Sequence, residues 1–217
     1  LTYVRQYVVQ GLPVFDQAEM CDLFVQMLSD TVVEHEVALH AYALTPGRFD
    51  LLLTPNEADA VARLLQSLGR RFVRDYNRRQ QRQGVLWRQR YRSTLVDPGW
   101  GLVCSRYIDT LPCRLGLVES PEHYQWCSAS AWLGEPNPRL RLTPLNAYWA
   151  LANTPYERQS AYRHCLEQGL TPQQVQRLDA AVEKGWPLAE PPWLNQLQAR
   201  SPRRLEPLRR GRPAKRQ

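Results

Sequence analysis

The side chains able to do chemistry in this sequence are mostly arginines, and they are gathered rather than scattered. Residues 70–92 hold Arg70, Arg71, Arg74, Arg78, Arg79, Arg82, Arg88, Arg90 and Arg92 against Asp75 alone. Residues 203–217 hold seven basic side chains against Glu206, a surplus of six within a formal net charge of +7, so the rest of the chain is nearly neutral. Guanidinium forks bind phosphate oxygens in pairs, and positive charge concentrated in two places is the footprint of a nucleic-acid-binding protein. The plainer reading is a solvated arginine-rich helix followed by a basic tail. Trp87 and Tyr91 lie among the arginines, where such aromatics either stack on unpaired bases or are buried in a core. If "WRQRYRSTLV" is a strand, Arg88, Arg90 and Arg92 share one face and suit a row of phosphate contacts. In the tail, Arg210, Gly211, Arg212 and Pro213 match the core of an AT-hook, whose extended arginines enter a narrow A·T minor groove.

A second pattern is "TPGRFDLLL". Period-2 alternation puts Arg48 and Asp50 on one strand face, where Asp50 is expected to pair with Arg48 or with an arginine of residues 70–92. The five cysteines form no C-x-x-C pair and the four histidines show no ligand spacing, which favours reduced thiols and no zinc cluster. No apolar run approaches bilayer length, and the first 15 residues lack a basic stretch leading into a long apolar one. A cytoplasmic, nucleoid-associated location is expected, with DNA as partner (hairpin, single-stranded or A·T-rich duplex) and no membrane.

The elements that must position these groups alternate. Residues 2–10 suit a strand, and Asp16 is placed to cap a helix running to about 34. Residues 36–44 alternate as a half-buried strand, Thr45-Pro46-Gly47 is a turn, and 48–54 complete a hairpin. From Asn56 a long helix follows, with Val61, Leu64, Leu65, Leu68, Phe72 and Tyr76 on one stripe and Arg63, Arg70 and Arg74 on another face. After the strand at 87–96, Asp97-Pro98 opens a helix to about 110. This predicts an α+β fold, an antiparallel sheet of ferredoxin-like βαββαβ type covered by helices. Three regions are expected: residues 1–133; a helical C-terminal region, 134–200, with start signals at Thr154-Pro155 and Thr171-Pro172; and a basic tail, 201–217, disordered in the free protein.

Taken together, "LHAYALTPGRFDLLLTP", "LGRRFVRDYNRR", "GVLWRQRYRSTLVD" and "RYIDTLPCRLGLVESPEHYQWCSAS" resemble the single-tyrosine HUH transposases, in particular the branch associated with REP palindromes in bacterial genomes. The resemblance covers about residues 36–132. It implies a domain that binds hairpin DNA and cuts single strands, with a Mg2+ or Mn2+ held by two strand histidines and a helix tyrosine as nucleophile. Tyr107 aligns with that tyrosine. Arg48 and Asp50 stand where the histidines belong, and Leu111 where a polar residue often completes the metal shell. Arginine is permanently cationic with no lone pair to offer, and a phenol without a cation beside it is a poor nucleophile. His40 on the adjacent strand is the nearest replacement ligand, and similar sequences carry it beside an intact histidine pair.

The expectation is therefore a catalytically inactive, domesticated transposase relative without a metal cofactor, binding a hairpin or regulatory DNA site in gene regulation or genome organisation. One alternative is an active single-strand nuclease using Tyr107 and a non-standard metal site. Another is a protein that recruits a partner through residues 144–200, where Trp149, Trp186 and Trp193 are core or anchor. Target sequence and oligomeric state are not legible.

Overall fold

The computed structural model describes residues 1–135 and 140–206. Strand β1 (Thr2–Tyr7) leads to helix α1 (Ala18–Glu34), the hairpin β2 (Val37–Thr45) and β3 (Arg48–Pro55), helix α2 (Ala60–Arg79) and strand β4 (Arg92–Leu95). A 3-10 turn at Pro98–Trp100 then opens α3 (Gly101–Asp109), followed by α4 (Leu111–Arg114), α5 (Ala129–Trp132), α6 (Asn146–Trp149), α7 (Pro155–Glu167), α8 (Pro172–Lys184) and α9 (Pro191–Arg200). The sheet order is β2-β3-β1-β4 with every neighbouring pair antiparallel, so the expected βαββαβ order folds as a ferredoxin-like sheet.

Two layers cover the sheet. On one face α1 and α2 bury Phe24, Leu28, Leu64, Leu68 and Phe72 against Val4, Leu39, Phe49, Leu51 and Leu53. Each such side chain contributes about 1.5–3 kcal/mol of transfer free energy, which outweighs the weak helix propensity of individual residues. On the other face, Tyr107, Ile108 and Leu111 share a cluster with Tyr3, Ala41, Ala43 and Leu52, joined by Leu178, Ala181 and Val182 of α8. With both faces covered, β2 is buried along nearly its whole length rather than on one side only. His40 sits at an irregularity in the β2–β3 register, between Leu39 opposite Leu53 and Ala41 opposite Leu52.

Several local expectations change. Helix α1 starts at Ala18, so Gln17 rather than Asp16 occupies the N-cap, and it makes no side-chain cap bond. The strand expected at 87–96 is ordered as a strand only over Arg92–Leu95. Upstream of it, Gln6 Nε2 donates to the carbonyls of Tyr7 (3.2 Å) and Gln89 (2.8 Å), so a side chain satisfies backbone acceptors in place of a continuous ladder. Arg88 and Arg90 therefore do not extend a strand-face row with Arg92. The start signals in the C-terminal region are real capping boxes: Thr154 with Glu157, and Thr171 with Gln174. Residues 201–206 are not free, because Leu205 is buried and its backbone N–H donates to Gln198 Oε1 at 2.9 Å. Arg210, Gly211, Arg212 and Pro213 lie outside the described residues.

Candidate nucleic-acid interface and the tyrosine site

The tyrosine site is built on the sheet face that α3 and α8 cover. Antiparallel register places Arg5 of β1 directly opposite Asp50 of β3, and Tyr7 opposite Arg48. Asp50 Oδ1 accepts from Arg5 Nε at 2.7 Å and from Tyr3 Oη at 2.6 Å. Arg48 Nε lies 2.7 Å from Asp50 Oδ2, an ion pair without the alignment of a hydrogen bond. The expected i, i+2 pairing of Asp50 with Arg48 is therefore present. The stronger partner, Arg5, stands outside the 70–92 cluster, and the signal for it was one arginine amid the apolar and aromatic residues of β1.

Helix α3 brings Tyr107 into the same cluster. Its hydroxyl donates to Asp179 Oδ1 of α8 at 2.7 Å and receives N–H groups from Arg5 (3.0 Å) and Arg48 (3.4 Å). The Arg114 guanidinium sits 3.7 Å from the centre of the Tyr107 ring. Only 2% of Tyr107 is exposed. Helix α8 adds Glu183, one turn beyond Asp179, which accepts from Tyr7 Oη at 2.6 Å and lies 3.6 Å from Arg5 and 3.8 Å from Arg92. Three arginines of the sheet thus meet three carboxylates, with Arg114 on the Tyr107 ring as a fourth guanidinium.

Burial opposes the charge on Arg5, but Asp50, then Tyr3 and Tyr107, outweigh it and hold the guanidinium above its ordinary value. The same balance, burial against Asp50, keeps Arg48 protonated. Burial, reinforced by Asp50, raises Tyr3 well above the usual phenol range. These groups do not fit a divalent cation. The two positions matching histidines carry a guanidinium and a carboxylate already shared by two guanidiniums, whereas a hard cation needs several free oxygen ligands. Leu111 is buried in the apolar cluster around Tyr107. Among the described residues no three His, Cys, Asp or Glu side chains converge as a metal site would require. His40 is engaged elsewhere: Nδ1 contacts the Thr143 carbonyl and Nε2 the Thr54 hydroxyl, each at 2.7 Å, and burial lowers its pKa.

The arginines of 70–92 divide by partner. Arg71 reaches back to Glu34 (3.3 Å) and Asp30 (3.6 Å), and Arg79 pairs with Glu19, so these two brace α2 against α1. Arg78 and Arg74 lie near Asp75, at 3.6 and 3.5 Å. Arg82 bonds Asn77 and lies 5.9 Å above the Tyr76 ring. Arg92 faces Glu183, as above. Arg70, Arg90 and, beside its Asp75 contact, Arg74 line a groove of about 870 Å³ between α2 and residues 87–91. Trp87, offered by sequence as core or stacking platform, packs against Phe15, Phe49 and Phe72 while still reaching that groove. Arg88 is exposed. In the C-terminal region Trp149 is half exposed, with Arg158 4.4 Å from its ring centre, and Trp186 and Trp193 are partly buried.

Among the described residues no helix is long and apolar enough to cross a membrane. Neither a family model nor a curated protein matches the chain. Among solved structures, a REP-associated tyrosine transposase bound to a REP hairpin superposes with a TM-score of 0.52 at 10% identity, over 67% of this chain and 87% of that one. A candidate transposase from Deinococcus radiodurans R1 is 23% identical with a TM-score of 0.36, over 45% of this chain and 79% of that one. At such identity the likeness is one of fold. The chain therefore shares a transposase-like fold with a REP-associated tyrosine transposase, and it carries an arginine–carboxylate cluster at Arg48 and Asp50.

Proposed function

We propose that this protein is a transposase-derived DNA-binding protein that does not cleave its target. The observation that carries this reading is the Arg5–Asp50–Arg48 cluster with Tyr107 and Asp179 closed over it. A nucleophile needs an open approach to a phosphodiester and a positive centre beside the leaving oxygen. Here the phenol is buried under α8 and its neighbours are spent on one another. The basic surface around α2 remains, and the similar transposase structure is bound to a REP hairpin, so a DNA hairpin or a specific regulatory site is the proposed target. Gene regulation or genome organisation follows as the role of a protein that binds without cutting. The tail residues Arg210 to Pro213 would add an A·T-rich contact tethered to the body, raising affinity through effective concentration.

The test pairs two assays on the full chain. Gel shifts with hairpin, duplex and single-stranded DNA at modest salt are expected to show binding, and its absence for all three overturns the reading. Incubation with labelled single-stranded hairpin DNA and Mn2+ is expected to give no covalent adduct. An adduct that disappears in Tyr107→Phe would establish the nuclease instead.

A further inference from the structure

One stripe of α2, formed by Ala62, Leu65, Gln66, Gly69 and Val73 at i, i+3, i+4, i+7 and i+11, borders the groove between this helix and residues 87–91. Phe24, Phe49 and Leu68 lie beneath it. The lining runs from Asp59 to Arg74, which at 1.5 Å per residue is about 22 Å, or about four helical turns. Its charge is uneven. At the Asp59 end Arg63 is matched by Asp59 (2.8 Å) and Glu57 (2.6 Å). At the other end Arg70 and Arg90 make no ion pair among the described residues, and Arg74 reaches Asp75 alone, at 3.5 Å. The indole of Trp87 is packed into the phenylalanine cluster, near-parallel to Phe72 (6.0 Å, 22°) and at right angles to Phe49 (5.5 Å, 85°). It meets α2 through its edge: a Cβ at Gly69 would lie 3.7 Å from Trp87 Nε1.

We infer that this groove docks an amphipathic helix of a partner protein, about four turns long, apolar along the stripe that faces α2 and acidic at the end beside Arg70, Arg74 and Arg90. The length, the apolar bed and the one-ended positive rim each specify part of that occupant. Apolar side chains at helical spacing fill a long cleft of aliphatic and edge-on aromatic groups, as in other helix-in-groove complexes. Carboxylates at one end complement the unpaired guanidiniums and fix the direction in which the helix lies. A small molecule would occupy a fraction of the length. A second copy of this chain fits poorly, because its partly exposed helix α9 (PPWLNQLQAR) carries no carboxylate. Partner helix and DNA phosphates then meet the same three arginines, so each excludes the other from α2.

The test uses the full chain and a labelled synthetic 15-residue helical peptide, with leucines along one face and glutamates at one end, read by fluorescence anisotropy. Two control peptides replace the glutamates by lysine or the leucines by serine. Gly69→Leu fills the groove and improves helix propensity, so it is expected to fold, with a thermal melt as control; Ala62→Gln, at an exposed position, is the second blocking variant. Saturable binding of the acidic peptide is expected, with each control peptide and each blocking variant weaker by about tenfold or more. Equal binding of the lysine peptide, or no effect of either blocking variant, overturns the assignment. So does an acidic peptide that fails to bind, and so does a self-association of the chain that Gly69→Leu abolishes, which would make a second copy the occupant. Loss of single-stranded DNA binding in Gly69→Leu without any peptide binding would make the groove a nucleic-acid site and leave the DNA-binding reading standing. Peptide binding by a chain that binds no DNA supports the groove assignment and overturns that reading instead.

Discussion

Arg5 and Asp50 face one another across β1 and β3, with Arg5 Nε 2.7 Å from Asp50 Oδ1 and their side chains 1% and 0% exposed. Two ions so far from solvent persist because Arg5 and Tyr3 both donate to Asp50 Oδ1 and Arg48 lies against Oδ2 as an ion pair without a hydrogen bond. Removing one partner leaves a charge stranded inside the sheet. Asp50→Ala is expected to lower stability by about 3–5 kcal/mol, read from urea unfolding. The double change Arg5→Met with Asp50→Leu should cost less than its two single changes added, and strict additivity would show that the pair is not coupled.

Asp179 is the joint between α8 and the tyrosine site, accepting from Tyr107 Oη and Arg5. Its side chain is 40% exposed, so solvent screens part of the interaction. Asp179→Asn is expected to cost about 1–2 kcal/mol and to raise amide hydrogen exchange in α8 above that in α1 and α2. Uniform exchange changes across all helices would contradict a local joint.

Asp109 gives the fold a pH dependence. It is buried between Ser128 and Tyr162, accepting from both, and burial pushes its carboxyl up to about 7. The folded state therefore holds this proton more tightly than the unfolded chain, whose carboxyl titrates near 4. Its contribution to stability is complete below about pH 4 and is lost as pH rises through about 7, at no more than about 1.4 kcal/mol per pH unit. Unfolding midpoints should fall between acid and neutral pH, and Asp109→Asn should flatten that slope. An unchanged slope in the variant would place the dependence elsewhere.

The division of the arginines predicts separate phenotypes. Arg70→Ala, Arg74→Ala and Arg90→Ala should each weaken DNA binding across sequences and reduce the magnitude of the slope of log K against log salt by about 1. Arg71→Ala and Arg79→Ala remove exposed ion pairs to α1, so they should change stability by no more than about 1 kcal/mol. Equal loss of affinity in both groups would mean that phosphates follow the whole helix rather than the groove.

The residues show how far the sequence alone reaches. The apolar stripe of α2 and the capping boxes at Thr154 and Thr171 are local facts, set by a period of 3.6 residues and by side chains three positions apart, and each is readable without a partner. The alternation of strand and helix likewise fixed the ferredoxin-like order, and the replacement of two histidine positions by Arg48 and Asp50 was plain in the letters. What the letters lacked was pairing at a distance. Arg5 opposite Asp50 is a matter of strand register, Asp179 against Tyr107 of how α8 docks 72 positions away, and the engagement of Arg71 and Arg79 by α1 of how two helices meet. Periodicity tells a side chain which face it takes, and only the closed fold supplies the charge on the facing element, because electrostatic partnership falls off over a few ångströms whatever the separation along the chain.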